Sequence, residues 1–202
     1  MIGLNQANTW EGQVALESDV ARLRRGDSQA LESVMARYQH RLYRYLLRLS
    51  REPALAEDLF QQTWMRVAEK IRHYDPNRSF EAWLFSVARN LTIDHLRRYR
   101  PESLQEPGAG DEGGERRLAA TGPSALDRVL EQERAAQVSG ALAEMPVIYR
   151  EVLSLRFEEE MKLEEIAEVL GTPISTVKTR LRRGLEAMRH QMETRFPSAG
   201  AW

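Results

Sequence analysis

Residues 163–190 read LEEIAEVLGTPISTVKTRLRRGLEAMRH, a pattern that calls for two helices joined by a tight turn, with cations gathered on the second. In the first, Leu163, Ile166, Ala167 and Leu170 recur at i, i+3, i+4 and i+7, which places them on one apolar stripe. Gly171 ends that helix, because glycine accepts the left-handed conformation that helix ends often need. Thr172 is the expected cap of the second helix, and Pro173 suits its first position, where no backbone N–H is required. Ile174, Val177, Leu181, Leu185 and Met188 continue the apolar face. Ser175, Thr176, Thr179, Arg180 and Arg183 lie opposite, flanked by Lys178 and Arg182. A short-turn helix pair with an apolar back and a hydroxyl-plus-arginine front is a helix-turn-helix suited to the major groove.

An ordinary surface hairpin with a solvated basic face is the competing reading. From Thr172 to the end there are six Lys/Arg against two Asp/Glu, or +4, on a chain of net charge −1. That local excess, together with short polar side chains at the helix start, favours DNA. Arginine bonds guanine bidentately, while Ser and Thr adapt to several base edges or to phosphate. Sequence leaves open which of these residues read bases and which hold phosphates.

The rest of the chain bounds the answer. Its 202 residues suffice for one or two small domains with real cores. There is no cysteine, so neither a disulfide framework nor a thiolate metal site is expected. The four histidines (His40, His73, His95 and His190) show no metal-ligand spacing, and no metal or cofactor is expected. No apolar run reaches the roughly 18 residues of a membrane helix, and the N-terminus lacks a signal-peptide pattern. A cytoplasmic protein without membrane insertion is the expectation.

Residues 1–15 read as a flexible leader, and 16–100 as helical almost throughout. Asp27 is placed to cap a helix with Leu31, Val34, Met35, Tyr38, Leu42, Tyr45, Leu46 and Leu49 on one stripe. Pro53 opens the next helix, residues 74–79 form a turn by composition, and a further helix starts near Phe80. Residues 101–123 are rich in Pro, Gly and acid, with five Asp/Glu and no Lys or Arg between Pro101 and Glu115, and read as a flexible linker. Helical patterning holds over 124–196, with a break at Met145–Pro146, and 197–202 form a tail. No segment alternates as a strand does. The expected fold is all-α: two small helical domains on a tether, the C-terminal one a helix-turn-helix.

In the helix opening at Pro53, Leu55, Leu59, Phe60, Trp64, Val67, Ala68 and Ile71 share a face, and core packing is the favoured role of Trp64. Asp58, Gln61, Gln62, Met65 and Glu69 share the other. A face of amides, one carboxylate and an outward Met has the composition of a protein-docking surface, although it could equally be solvated. The stretch 74–100 interleaves Tyr74, Phe80, Trp83, Phe85 and Tyr99 with Arg78, Arg89, Arg97, Arg98 and Arg100. Phe80, Leu84, Val87, Ala88 and Leu91 form the buried stripe, and Phe85, Arg89, Ile93 and Arg97 fall on another face. Rings among arginines suit single-stranded DNA, whose unstacked bases stack on rings while arginines follow phosphates. A second core face beside a solvated basic one explains the second stripe as well.

The runs AEDLFQQTWMRV at 56–67 and FEAWLFSVARNLTIDHLRR at 80–98, followed by the terminal helix-turn-helix, resemble bacterial sigma factors of the extracytoplasmic-function (ECF) group. The resemblance covers roughly residues 20–100 and 124–192. It implies a first domain that docks on core RNA polymerase through Asp58, Gln61, Gln62 and Met65. It further implies that Asn77, Arg78, Phe80 and Trp83 capture the melted minus-ten promoter element, with Arg97 and Arg98 holding backbone nearby. The second domain would read the minus-thirty-five duplex with Ser175, Thr176, Lys178, Thr179, Arg180, Arg182 and Arg183. Implied partners are core polymerase and promoter DNA, and an anti-sigma factor is common in the group. No catalytic residue is implied.

A stand-alone helix-turn-helix regulator would need a symmetric dimer and would leave the arginine–aromatic segment without a task. A nucleic-acid enzyme would need an acid cluster or a nucleophile constellation, and none is evident.

Overall fold

The computed structural model describes residues 4–99 and 138–195, and every regular element among them is helical. The linker read over 101–123, the start of the second domain and the tail lie outside the described residues. The described part divides into two compact units.

The first unit contains α1 (Leu4–Arg24), α2 (Ser28–Ser50), α3 (Pro53–Lys70) and α4 (Phe80–Tyr99) as far as His95, together with Ala167–Gly171. Helix α1 begins at Leu4, so most of the segment expected as a leader is helical. Its second half buries Leu16, Val20 and Leu23. Asp27 caps α2 as its position suggested, accepting from the N–H groups of Gln29 at 2.9 Å and Ala30 at 3.4 Å. The α2 stripe is buried at Val34, Tyr38, Leu42, Tyr45, Leu46 and Leu49. Arg51, in the left-handed region at φ 62°, turns the chain into α3, where Pro53 occupies the first turn without needing a donor partner.

Asp27 also pairs with Arg22, at 2.8 Å between guanidinium and carboxylate. The hydrogen bond from Arg22 is the main reason the Asp27 carboxyl is held below its usual range, with the two capping N–H groups adding to it. A depressed folded-state pKa adds stability above the unfolded value near 3.9, and that stability is lost as pH falls through the folded value. Asparagine caps about as well as aspartate but carries no charge. Asp27→Asn should therefore melt below wild type at pH 7, and the gap should close on acidification below about pH 4, read as Tm against pH.

Helix α4 is tied to α2 by a mixed polar and aromatic seam. Arg41 donates to both carboxylate oxygens of Glu81, at 2.6 and 3.1 Å. The Tyr38 hydroxyl also donates to Glu81, at 3.4 Å, and burial raises its pKa, so it remains a donor. Phe85 is 0% exposed and meets the Tyr45 ring edge-on, with centroids 5.2 Å apart. With Ile93 also buried, the stripe that sequence left open as a base-stacking face is core at both apolar positions. Trp64 is buried, as favoured, with its ring against Phe60.

The second unit opens with a helical stretch over 138–144, interrupted at Met145–Pro146 as expected. The Pro146 carbonyl accepts from Tyr149 and Arg150, both at 3.1 Å, and starts α5 (Val147–Leu153). Every residue of α5 is buried, including Arg150 and Glu151. A π-helical turn (Ser154–Glu158) follows, closed by the Glu159 N–H on the Ser154 carbonyl at 3.0 Å. Along the chain α6 (Leu163–Leu170), whose last residues count with the first unit, and α7 (Ile174–Arg195) then follow. Among the described residues no helix is long and apolar enough to cross a membrane.

Candidate functional site

Three exposed regions carry the residues singled out from sequence. The first is the outward face of α3. Asp58, Gln61, Gln62 and Met65 are all exposed, and Met65 is 65% so. The face holds its shape because Ala56, Leu59, Thr63, Trp64 and Val67 anchor the opposite side. An exposed, adaptable thioether beside two amides and a carboxylate can pack apolar surface and exchange hydrogen bonds together.

The second region is the turn between the short 3-10 segment Ile71–His73 and α4. Its backbone is held at several points. Asp75 Oδ1 accepts from the N–H and side-chain amide of Asn77, both at 3.0 Å. The Arg78 N–H donates to the Asp75 carbonyl at 3.1 Å, and the Tyr74 hydroxyl donates to the Arg78 carbonyl at 2.5 Å. Burial raises the Tyr74 pKa, which keeps that donor protonated. The Ser79 hydroxyl accepts from the Ala82 N–H at 3.2 Å and caps α4.

Asn77 and Arg78 are exposed at the tip, and the Arg78 guanidinium pairs with the Glu168 carboxylate at 2.6 Å. Phe80 is not: it is 6% exposed and enclosed by the rings of Tyr38, Tyr74 and Trp83 at 5.6–5.9 Å. That corrects its assignment as a residue offering its face to a base; here it supports the turn from below. Trp83 is half-buried, with its ring 5.2 Å from Tyr74. Arg97 and Arg98 are exposed at the far end of α4.

The third region is the helix pair α6–α7. Gly171 has φ +61°, the left-handed turn its position called for. The Lys162 N–H is capped by the Glu165 carboxylate at 2.9 Å, half of a reciprocal capping box that sequence reading missed. Thr172 does not cap α7, since its buried Oγ1 finds no hydrogen-bond partner among the described residues. The Pro173 carbonyl starts the helix instead, accepting from Thr176 at 3.0 Å and Val177 at 3.2 Å.

Of the expected apolar face of α7, Val177 is buried, Leu181 and Met188 are half-buried, and Ile174 and Leu185 are exposed. The cause is Gly184. A Cβ there would meet Leu153 Cδ1 at 3.2 Å and Tyr149 Cβ at 3.4 Å, so α5 crosses α7 at the glycine. The packing line runs through Val177, Leu181, Gly184 and Met188, which puts Ile174 and Leu185 off to one side. Opposite that line, Ser175, Lys178 and Thr179 are exposed, while Thr176, Arg182 and Arg183 are half-buried. Arg182 pairs with Glu186 at 3.1 Å. Arg180 does not join the outward set. Its side chain is 19% exposed and lies 3.6 Å from the carboxylate of Glu151, which is 0% exposed.

An exposed amide–carboxylate face, a braced turn with a polar tip and a helix-turn-helix with a polar outward edge are thus the three exposed polar surfaces. Residues 34–102 match the family described as Sigma-70 region 2, and residues 135–188 match Sigma-70, region 4. The ECF RNA polymerase sigma factor SigW of Bacillus subtilis is 32% identical over 183 residues, covering 89% of this chain and 98% of that relative. Among solved structures, CnrH in complex with the cytosolic domain of CnrY aligns with a TM-score of 0.63 at 21% identity, over 88% of this chain and 97% of that one. The sigma factor RpoE in complex with the anti-sigma factor NepR, from Bartonella quintana, aligns with a TM-score of 0.59 at 23% identity, over 80% and 96%. Both structural likenesses bear on the fold. The class is therefore that of the sigma-70 factors, which are transcription regulators. Within it, this chain belongs to the ECF group of RNA polymerase sigma factors.

Proposed function

We propose that the chain joins core RNA polymerase through Asp58, Gln61, Gln62 and Met65 on α3 and directs it to promoters whose two elements it reads in different physical states. The minus-thirty-five element is read as duplex by the outward edge of α7, with Ser175, Lys178 and Thr179 foremost and Thr176, Arg182 and Arg183 beside them. The minus-ten element is held as a melted strand at the tip of the 74–79 turn by Asn77 and Arg78, with Trp83 at its base and Arg97 and Arg98 on the backbone. Phe80 braces that turn. To release its amide to a base, Asn77 exchanges its bond to Asp75.

The observation that carries this reading is the braced turn. A loop tied by Tyr74, Asp75 and Ser79, with Asn77 exposed at its tip and the Arg78 guanidinium held by Glu168 at 2.6 Å, supports a turn that presents polar groups, and on DNA Arg78 would exchange that carboxylate for phosphate or base. A single helix-turn-helix makes few phosphate contacts, and its affinity falls steeply with salt, so the polymerase is needed to hold the chain on DNA. Since its partner is the transcription machinery, we place the activity in the cytoplasm. The neighbour crystallised with an anti-sigma factor supports a further partner of that kind, one that would act by covering these surfaces.

Run-off transcription with purified core polymerase tests the proposal. Promoter-specific transcripts should appear only when the chain is added. Tight footprinting by the chain alone, without polymerase, would instead support a self-sufficient duplex-binding regulator.

A further inference from the structure

Arginine on a recognition helix is expected to read guanine, and Arg180 lies among the residues of α7 that sequence assigns to DNA. Its surroundings give it a different task. Counting along α7, Arg180 follows Val177 by three positions and precedes Gly184 by four, which puts it on the flank shared with the packing line. The outward residues Ser175 and Thr179 lie across the helix from that line. Its guanidinium approaches the carboxylate of Glu151 at 3.6 Å, with 19% of the arginine side chain and none of the glutamate exposed. Glu151 lies in the middle of α5, whose seven residues are all buried, and α5 is the helix that Gly184 admits at closest approach.

A carboxylate with no exposed surface needs a compensating cation, because a desolvated charge left uncompensated is strongly unfavourable. Arg180 supplies such a cation from α7, and the contact ties the rotation of α7 about its axis, and its height, to α5. The Gly184 contact alone sets how close the helices come but leaves sliding and rotation less determined.

We infer that Arg180 is a positioning residue, which aims the reading edge of α7 by anchoring it to Glu151 and reads no base itself. The inference rests on the proposed reading of duplex by α7. It assigns discrimination among upstream sequences to the exposed side chains, and it gives Glu151, which has no surface to offer DNA, an indirect effect on promoter affinity.

The test uses holoenzyme assembled from core polymerase and the full chain, with promoter fragments carrying every single base change across the upstream element. Arg180→Lys keeps the charge that faces Glu151 but lacks the two-pronged fork that bonds guanine. It should retain the wild-type preference at every position, with affinity within about threefold. Arg180→Met leaves Glu151 without this partner and should lose at least about tenfold in upstream binding. The double variant Glu151→Leu with Arg180→Met removes both charges and should regain most of that loss, together with the melting temperature of the isolated chain.

Loss of preference at one base pair in Arg180→Lys, or in a double variant that melts like wild type, would show that Arg180 reads that base. A double variant that melts no higher than Arg180→Met would show that the two charges are not coupled, which also overturns the inference. Failure of the underlying reading looks different: Ser175→Ala, Lys178→Ala and Thr179→Ala would all leave upstream preference unchanged. In that case the melting temperatures of the Arg180 and Glu151 variants still decide whether the pair anchors the helix.

Discussion

Replacing Phe85 by alanine should lower the melting temperature of the first unit by at least about 12 °C, because truncating a buried phenylalanine costs about 3–5 kcal/mol. The ring is fully enclosed, edge-on to Tyr45, with the Arg41 guanidinium 5.9 Å from its centroid. Its loss opens a cavity where α2 and α4 meet, next to the Arg41–Glu81 ion pair. The experiment also separates two readings of the arginine–aromatic segment. If Phe85 stacked on a DNA base, Phe85→Ala would melt normally and lose affinity for the minus-ten strand. With Phe85 in the core, Phe85→Ala should melt low, whereas Phe85→Leu, which keeps a smaller apolar side chain in the same space, should cost less and leave strand binding intact. Thermal melts alongside binding of a single-stranded minus-ten oligonucleotide by holoenzyme measure both.

Asp58→Arg should raise the dissociation constant for core polymerase roughly 30-fold or more, since disrupting a buried interfacial charge contact costs about 2–5 kcal/mol. Asp58 is exposed in the free chain and lies on the side of α3 away from its anchored residues, so the substitution should leave the melting temperature near that of wild type. Titration of labelled chain against core polymerase gives the answer. Equal affinities for the two chains would remove α3 from the docking surface. Because the reversal acts on assembly, saturating core with the variant should restore much of the promoter-specific transcription.

Most of the helical framework could be read from the residues. The caps and breaks were visible because each has a local cause: Asp27 before α2, Pro53 opening α3, the polar turn at 74–79, the break before Val147 and the left-handed Gly171. Features that depend on a distant partner could not be read in this way. Gly184 has no side chain, so a hydrophobic stripe passes over it, yet it is where α5 crosses and it shifts the packed face of α7 by enough to expose Leu185. Arg180 sits at the border of two faces, and only the position of Glu151 decides which it joins. The signal available was a charged Arg150–Glu151 pair inside the apolar run VIYREVLSL, which marks a buried ion pair without naming its partner.

The aromatic segment was legible in part: Phe80 falls on the stripe read as buried, although the resemblance also placed it at a base, while the face of Phe85 stayed open between core and stacking because its burial against Tyr45 is a tertiary fact. Helix α1 was missed over its first turns because residues 4–15 carry no 3.6-residue stripe to announce a helix. At Thr172 a residue type suited to capping lost to backbone geometry, since the preceding turn let Pro173 supply the first carbonyl.

If the turn at 74–79 presents Asn77 to a base as proposed, its fastening bears on how promoter preference can be altered. Immobilising a backbone residue costs about 1–2 kcal/mol, and here that ordering is complete before any nucleotide arrives. Exchanging the side chain at Asn77 would therefore alter the shape offered to a base without requiring the main chain to find a new path.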